Sequence, residues 1–267
     1  MSHQLFANYH FNERLALQLN IPLIHRSFQR IEDESLQSGN EAGLGDILLV
    51  GYYVPFQRKN PYSQFNWKLI GGLKFPTGNS DPLAEELTED DHHEEGGEEE
   101  LPHIARAFRS HHEEEASGVH GHDIALGSGS WDMLIGSNIF GGNNKWFYTG
   151  NIQYTIRTRG DFDYQYANDL LWYGGPGYYV STSQEWPVGL QALLTGEHKG
   201  EDHLGEENRE AGDTALTSVY MGPMAIIGIK QIATVEAGVG FPLMIDNSGL
   251  QTVPKYRLRF GITWMFQ

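Results

Sequence analysis

The chain has 267 residues, which suits one large domain or two small ones. Its mean hydropathy of −0.44, and the lack of any run of about 20 uncharged apolar residues, exclude a bundle of membrane-spanning helices. The net charge of −17 excludes a nucleic-acid partner, and the absence of cysteine excludes disulfides, thiolate metal sites and cysteine nucleophiles.

Apolar and polar residues alternate with a period of two along much of the chain. The pattern extends over 15–23, 65–75, 146–156 and 256–266, whereas strands of soluble proteins average about 5–6 residues. Strands of about ten residues cross a bilayer as tilted barrel strands. We therefore expect an all-β, antiparallel, up-and-down transmembrane β-barrel over 1–267, with a soluble β-sandwich or lipocalin-like barrel as the alternative.

Eleven strands are readable from this alternation. Aromatic residues such as Trp146, Tyr154, Tyr256 and Trp264 stand at the ends of their apolar faces, as in the interfacial girdles of membrane barrels. The predicted strands are 3–11, 13–27, 46–58, 64–76, 130–141, 145–159, 168–181, 184–197, 214–229, 230–245 and 255–266.

The predicted connections alternate between short turns and longer loops. The longer connections are 28–45, 77–129, 160–167, 198–213 and 246–254. Short turns at one rim and long loops at the other are typical of bacterial outer-membrane barrels, whose long loops are extracellular. The first readable strand then runs towards the periplasm. Because such barrels have even strand numbers, we expect a signal peptide and one further strand before Met1, which gives twelve strands in the complete protein.

The end of the chain resembles the C-terminal assembly signal of outer-membrane proteins. In that signal a polar residue is followed by glycine and two spaced aromatics, places that Arg259, Gly261, Trp264 and Phe266 fill here. The resemblance implies recognition by the barrel-assembly machinery and a Gram-negative outer-membrane location, with membrane lipid as a partner.

Three motifs occur in an order that resembles the outer-membrane family named for the MetA pathway of phenol degradation. They are Gly43-Leu-Gly-Asp46, Leu73-Lys-Phe-Pro-Thr-Gly78 and Gly127-Ser-Gly-Ser-Trp-Asp132. The resemblance implies a twelve-stranded, porin-like barrel that passes small solutes, with aromatic molecules as the candidate class. From the residues alone, these glycines supply strand–loop junctions, and Asp46 and Asp132 bind backbone amides at the barrel rim.

If the apolar positions face lipid, the alternate positions line the lumen. Basic residues outnumber acidic ones there, which favours passage of anions such as aromatic carboxylates. The alternative is a filled lumen cross-linked by Arg–Glu pairs. The predicted lumen-lining residues are Arg14, Gln18, Asn20, Lys68, Lys74, Asn151, Gln153, Arg157, Glu185, Gln191, Lys230, Glu236, Arg257 and Arg259.

Acidic residues and histidines concentrate in the longest loop. Residues 79–123 contain fifteen Asp and Glu, two Arg and seven His, so they carry −13 of the net charge. We expect 79–126 to be a solvated, mobile, extracellular loop inserted in the barrel. A second acidic stretch follows in 197–213.

These two loops hold nine of the twelve histidines. Imidazole together with carboxylate can bind Zn²⁺, Cu²⁺ or Ni²⁺, although no spacing matches a preformed site; the alternative is that the histidines only reflect composition. The candidate ligands are His92, His93, His103, His111, His112, His120, His122, His198, His203, Glu94, Glu113 and Asp123.

The sequence does not favour an enzyme. No serine stands in a nucleophile-elbow context, and no HExxH, phosphate loop or EF-hand is present. Three functions stay open: passage or capture of small solutes with no required cofactor, transition-metal binding by surface loops on a barrel anchor, and a structural or assembly-partner barrel.

Deleting 88–122 tests the metal hypothesis. We expect the deletion to abolish most Zn²⁺, Cu²⁺ and Ni²⁺ binding in isothermal titration near neutral pH, because it removes most candidate ligands, while the barrel still folds. Micromolar binding that survives the deletion, or no binding by the intact chain, would mean that the histidines of this loop are not a metal site.

Overall fold

The computed structural model describes residues 2–32, 35–60, 62–84, 125–205, 209–211, 214–230, 232–247 and 254–264. Within these residues no helix is both long and apolar enough to cross a membrane. Single-turn 3-10 helices lie at Asp81–Leu83 and Asp161–Asp163. The strands are β1 (Ser2–His10), β2 (Leu15–Glu32), β3 (Ser35–Leu44), β4 (Ile47–Lys59), β5 (Ser63–Phe75), β6 (Asp132–Asn143), β7 (Trp146–Ile156), β8 (Asp169–Thr182), β9 (Pro187–Lys199), β10 (Asp202–Leu204), β11 (Arg209–Ala211), β12 (Leu216–Ile229), β13 (Ala233–Asn247) and β14 (Arg257–Trp264).

The long strands form one antiparallel sheet in chain order. The order is β1-β2-β4-β5-β6-β7-β8-β9-β12-β13-β14, with β3 paired to the far part of β2. Each strand therefore pairs with its neighbours along the chain, which is an up-and-down topology. In the described residues β1 pairs with β2 and β14 with β13, and these two outer strands do not pair with each other.

The eleven strands of this path confirm the eleven that alternation predicts, with ends that differ by up to a few residues. The prediction of 28–45 as a loop is wrong: β2 continues to Glu32 and pairs with β3 as a hairpin. The polar composition of this hairpin conceals it, because backbone hydrogen bonds need no apolar alternation. The loop predicted at 198–213 contains the short hairpin β10–β11.

The sheet curls into a trough with an inner and an outer face. The Arg259 guanidinium on β14 lies 5.9 Å from the centre of the Tyr173 ring on β8. Four strand steps separate β8 from β14, which in a flat sheet would place them roughly 19 Å apart. The face that carries Arg259 and Tyr173 is therefore concave, and we call it the inner face; the opposite face is the outer face.

The outer face of the sheet is apolar and exposed, although apolar side chains of a protein in water are usually buried. On β14, Leu258, Phe260 and Ile262 are 75%, 71% and 60% exposed. Exposed aromatics lie near both ends of the strands, in the positions expected of interfacial girdles. These aromatics include Trp146, Trp186 and Trp264 towards the short turns, and Trp131, Tyr154 and Tyr256 towards the long connections.

Apolar side chains also fill part of the inner face. Val50, Ile70 and Leu134 form one buried cluster on β4, β5 and β6. Nearer the short turns, the buried Phe147 ring lies 4.7 Å from the Tyr179 ring, measured between centroids. Glycine makes room for Phe147, because a Cβ at Gly177 would lie 2.1 Å from its ring.

We expect Gly177→Ala to destabilise the sheet, because the added methyl would overlap the Phe147 ring, which is 3% exposed. Overpacking of this kind costs about 1–3 kcal/mol. The temperature at which folded protein loses its faster gel mobility should fall. The matched control is Gly71→Ala, also in a strand, where a Cβ meets nothing within 4 Å; equal effects of both changes would contradict this packing.

Candidate functional site

The three sequence motifs meet at the rim where the long connections lie. Asp46 follows Gly45 at a one-residue shift of register between the β2–β3 and β2–β4 ladders, and such a bulge redirects a side chain. Its Oδ1 accepts hydrogen bonds from the backbone amides of Thr77 (3.1 Å) and Gly78 (2.9 Å). Its Oδ2 accepts one from the Ser128 amide at 3.0 Å. One carboxylate thus holds together the start of β4 and the segments that follow β5 and precede β6.

Two glycines allow this close approach. Gly78 and Gly127 lie back to back, and a Cβ on Gly127 would fall 2.6 Å from both the Gly78 carbonyl oxygen and Asp46 Oδ1. The amides of Leu126 and Gly127 both donate to the Asn79 carbonyl at 2.9 Å. The two ends of the long acidic loop are therefore fixed side by side, and Leu83 just inside it is fully buried. The mobile loop expected over 79–126 stays a prediction: Leu83 near its start packs in a core, and residues 85–124 lie outside the described part.

Lys74 joins the motifs through ion pairs. Its Nζ lies 2.7 Å from Asp46 Oδ2 and 2.7 Å from Asp132 Oδ2. Asp132 is fully buried, and its Oδ1 accepts from Ser130 Oγ (2.8 Å) and the Thr158 amide (3.0 Å). The motif residues are thus one connected hydrogen-bonded unit, with the amide-binding roles that the residues alone predict for Asp46 and Asp132.

Arg157 extends the chain of charges to the next strand. Its Nη1 lies 3.1 Å from Asp132 Oδ2, and its Nε donates to Asp169 Oδ2 at 3.2 Å. Burial by itself would lower the pKa of Arg157, but the attraction and hydrogen bonds of Asp169 and Asp132 outweigh it and raise that pKa. The guanidinium therefore stays charged, and the run Asp46, Lys74, Asp132, Arg157, Asp169, which we call the rim charge chain, alternates in sign.

A second carboxylate organises the neighbouring loops. Asp202 is fully buried; its Oδ2 accepts from the Tyr164 hydroxyl at 2.6 Å and pairs with Lys199 Nζ at 2.8 Å. Its Oδ1 accepts from the Ala167 amide at 2.7 Å. Around Tyr164 the loops build a small apolar core of their own, which consists of Leu83, Ala125, Tyr164 and Leu204.

Below the rim, tyrosines and arginines face one another across the trough. The Arg257 guanidinium lies 4.1 Å from the centre of the buried Tyr220 ring, and its Nη1 lies 3.5 Å from Glu197 Oε2. Tyr173 is 37% exposed beneath Arg259. Tyr52, a third inner-face tyrosine, donates to Gln18 Oε1 at 2.9 Å. The alternation of β4, β8 and β12 places these tyrosines inward, but the sequence does not show which strands face each other across the trough.

The predicted lumen-lining residues divide into three groups. On the strands of the inner face lie Gln18, Asn20, Lys68, Asn151, Gln153, Gln191, Glu236, Arg257 and Arg259. Lys74 and Arg157 belong to the rim charge chain. Arg14, Glu185 and Lys230 lie instead in the short turns, because β2 begins at Leu15, β8 ends at Thr182 and β12 ends at Ile229.

Of the candidate metal ligands, the structure describes His198 and His203. The Nδ1 atom of His198 lies 2.8 Å from Thr217 Oγ1, and the backbone of His203 bridges to Gln165. Both histidines line a cavity of about 420 Å³ with Glu201 and Glu210. The described residues contain no group of three or more such side chains placed to hold a metal ion. The remaining candidates, His92, His93, Glu94, His103, His111, His112, Glu113, His120, His122 and Asp123, lie outside the described residues.

The residues of the predicted assembly signal occupy the last described strand. Arg259 and Gly261 lie on the inner face of β14, opposite Gly238 and Glu236, and Trp264 lies on its outer face. Phe266 lies outside the described residues.

Comparison with known proteins finds a solved structure with a similar fold. No protein-family model and no curated protein sequence matches the chain. The crystal structure of an outer membrane channel from Pseudomonas putida F1 is similar, with a TM-score of 0.57 and 14% sequence identity over 98% of this chain and 80% of that one. The chain therefore has the all-β, antiparallel, up-and-down fold of an outer-membrane barrel channel.

We expect Lys74→Met to be strongly destabilising, because it leaves the buried carboxylates of Asp46 and Asp132 without their shared cation. Removing one partner of a buried ion pair costs about 3–5 kcal/mol. Thermal unfolding followed by gel mobility measures the effect. Lys145→Met, at an exposed lysine in the β6–β7 turn, is the control and should change little.

Proposed function

We propose that this chain is an outer-membrane channel for small solutes, and that its long connections lie on the extracellular side. The apolar outer face, the aromatic girdles and the fold shared with an outer membrane channel support the location. The division into short turns at one rim and long connections at the other supports the orientation.

The inner face supports a preference for anions. The aspartates of the rim charge chain neutralise Lys74 and Arg157, and Glu197 pairs with Arg257. These cations therefore add less positive charge to the inner face than their number implies. Lys68 and Arg259 carry the remaining bias, which Glu236 partly opposes. A positively charged inner wall in a narrow lumen attracts anions and repels cations.

The pairing of arginine with tyrosine supports an aromatic carboxylate as the solute. Arg259 lies over Tyr173, which is itself accessible from the trough. A carboxylate can bind the guanidinium through two parallel hydrogen bonds. The ring of the same solute can pack against the tyrosine, since aromatic pairs attract at centroid distances of about 4.5–7 Å. This placement of Arg259 above Tyr173 is the observation that carries the proposed solute class.

Replacing Arg257 and Arg259 together by Gln tests the proposal. We expect the reversal potential of single channels in planar bilayers, measured under a salt gradient, to shift towards cation selectivity, because two inner-face charges are lost. The same change should weaken block of the current by benzoate.

The control is Lys255→Gln, which removes one positive charge just before β14 begins. It should leave selectivity and benzoate block unchanged. Absence of conductance in the unchanged protein would overturn the channel proposal and favour a structural barrel; unchanged selectivity in the double variant would overturn the anion preference.

A further inference from the structure

A groove of about 700 Å³ lies on the outer face, across β6, β7, β8, β9 and β12. The Ile152 side chain is 50% exposed and that of Met221 is 43% exposed, so both point away from the trough. The alternate neighbours of the groove residues, Asn151 and Gln191, are buried on the inner face. The side chains that wall the groove include Ile139, Ile152, Trp172, Leu194 and Met221.

Small residues make this part of the wall concave. Gly150 and Gly174 are directly opposite each other on β7 and β8, and Ala192 lines the same depression on β9. The β8–β9 pairing is interrupted at Gly175 and Pro176, where proline has no amide hydrogen to donate. The freed Gly175 carbonyl accepts instead from the Gln191 side chain at 2.9 Å, on the inner side.

The walls of the groove are held in place by their own packing. The Trp172 indole lies against Gly196, where a Cβ would fall 2.2 Å from the ring. Leu194 and Met221 are paired across β9 and β12, so the opposite wall is fixed by the strand ladder. The depression is therefore a built feature of the sheet and does not depend on a mobile loop.

We propose that this groove binds the acyl chain of a membrane lipid, an inference that rests on the proposed membrane location. Gly150, Gly174 and Ala192 lie near the middle of their strands, the depth at which a spanning barrel faces hydrocarbon. The groove is continuous with the apolar outer face that lipid covers. A concave apolar wall gives a hydrocarbon chain more close contacts than a flat one, and an unfilled depression would lose those contacts.

Ala192→Phe tests the site by filling the groove from its floor. We expect protein purified in mild detergent to retain about one phospholipid per chain in native mass spectrometry, and Ala192→Phe to reduce that retention at least fivefold. Leu190→Phe is the matched control: Leu190 lies on the outer face of the same strand, is 50% exposed and does not line the groove. It should retain lipid as the unchanged protein does.

A second variant covers the case in which Ala192→Phe does not fold. Gly150→Leu also enters the groove, and its Cβ would meet only the Ile139 side chain, at 2.9 Å. Folding of each variant is checked by heat-modifiable gel mobility. No retained lipid in the unchanged protein, equal retention in a folded groove variant, or a retained small apolar molecule in place of phospholipid would each overturn the proposal.

Conductance of the same preparations separates this inference from the proposed function. Both groove substitutions lie on the outer face. The two variant proteins should therefore retain less lipid, while their single-channel conductance and selectivity stay unchanged. If the unchanged protein retains lipid but does not conduct, the channel proposal fails and the lipid site stands.

Discussion

The buried ion pairs at one rim are the constraint on which the rest of this molecule depends. The strands β5, β7 and β9 bring Lys74, Arg157 and Lys199 to this rim, and β4, β6 and β8 each begin at or next to an aspartate. Lys74 and Arg157 therefore alternate with Asp46, Asp132 and Asp169 across neighbouring strands. Because Lys74, Asp132 and Arg157 each have partners of opposite charge on both sides, the charges fix strand ends and loop ends at once.

The rim charge chain is sensitive to the loss of any one of its charged side chains. Moving charged side chains out of water costs free energy. The attraction between opposite charges offsets that cost only when hydrogen bonds satisfy the remaining lone pairs. Here backbone amides supply those bonds: Asp46 binds Thr77 and Gly78, and Asp132 binds Thr158. These amides belong to the long connections themselves. These hydrogen bonds offset the cost of burying the charges and also order the loop ends, which line the entrance of the trough.

Much of the fold could be predicted from the sequence because membrane strands are long and alternate strictly. The eleven strands of the main path were readable, as was the inward position of Arg257 and Arg259. The hairpin β2–β3 was not, because its sequence is polar and backbone pairing needs no apolar alternation. The three motifs were visible, yet their convergence was not, since 82 residues separate Asp46 from Ser128. Alternation assigns a residue to a face; it says nothing about how far a sheet curls or which inner side chains meet.

Glycine shapes the two faces of this wall in opposite ways. On the inner face, Gly177 lets the large Phe147 ring lie flat against the sheet, so that the trough is partly filled. On the outer face, Gly150 and Gly174 leave a depression that no side chain in the described part of the chain occupies. The interruption at Gly175 and Pro176 lies between these two regions, and Gln191 closes it from the inside. This wall carries aromatic rings on its inner face and glycines on its outer face. It therefore presents polar and aromatic groups to a solute and a concave apolar surface to lipid.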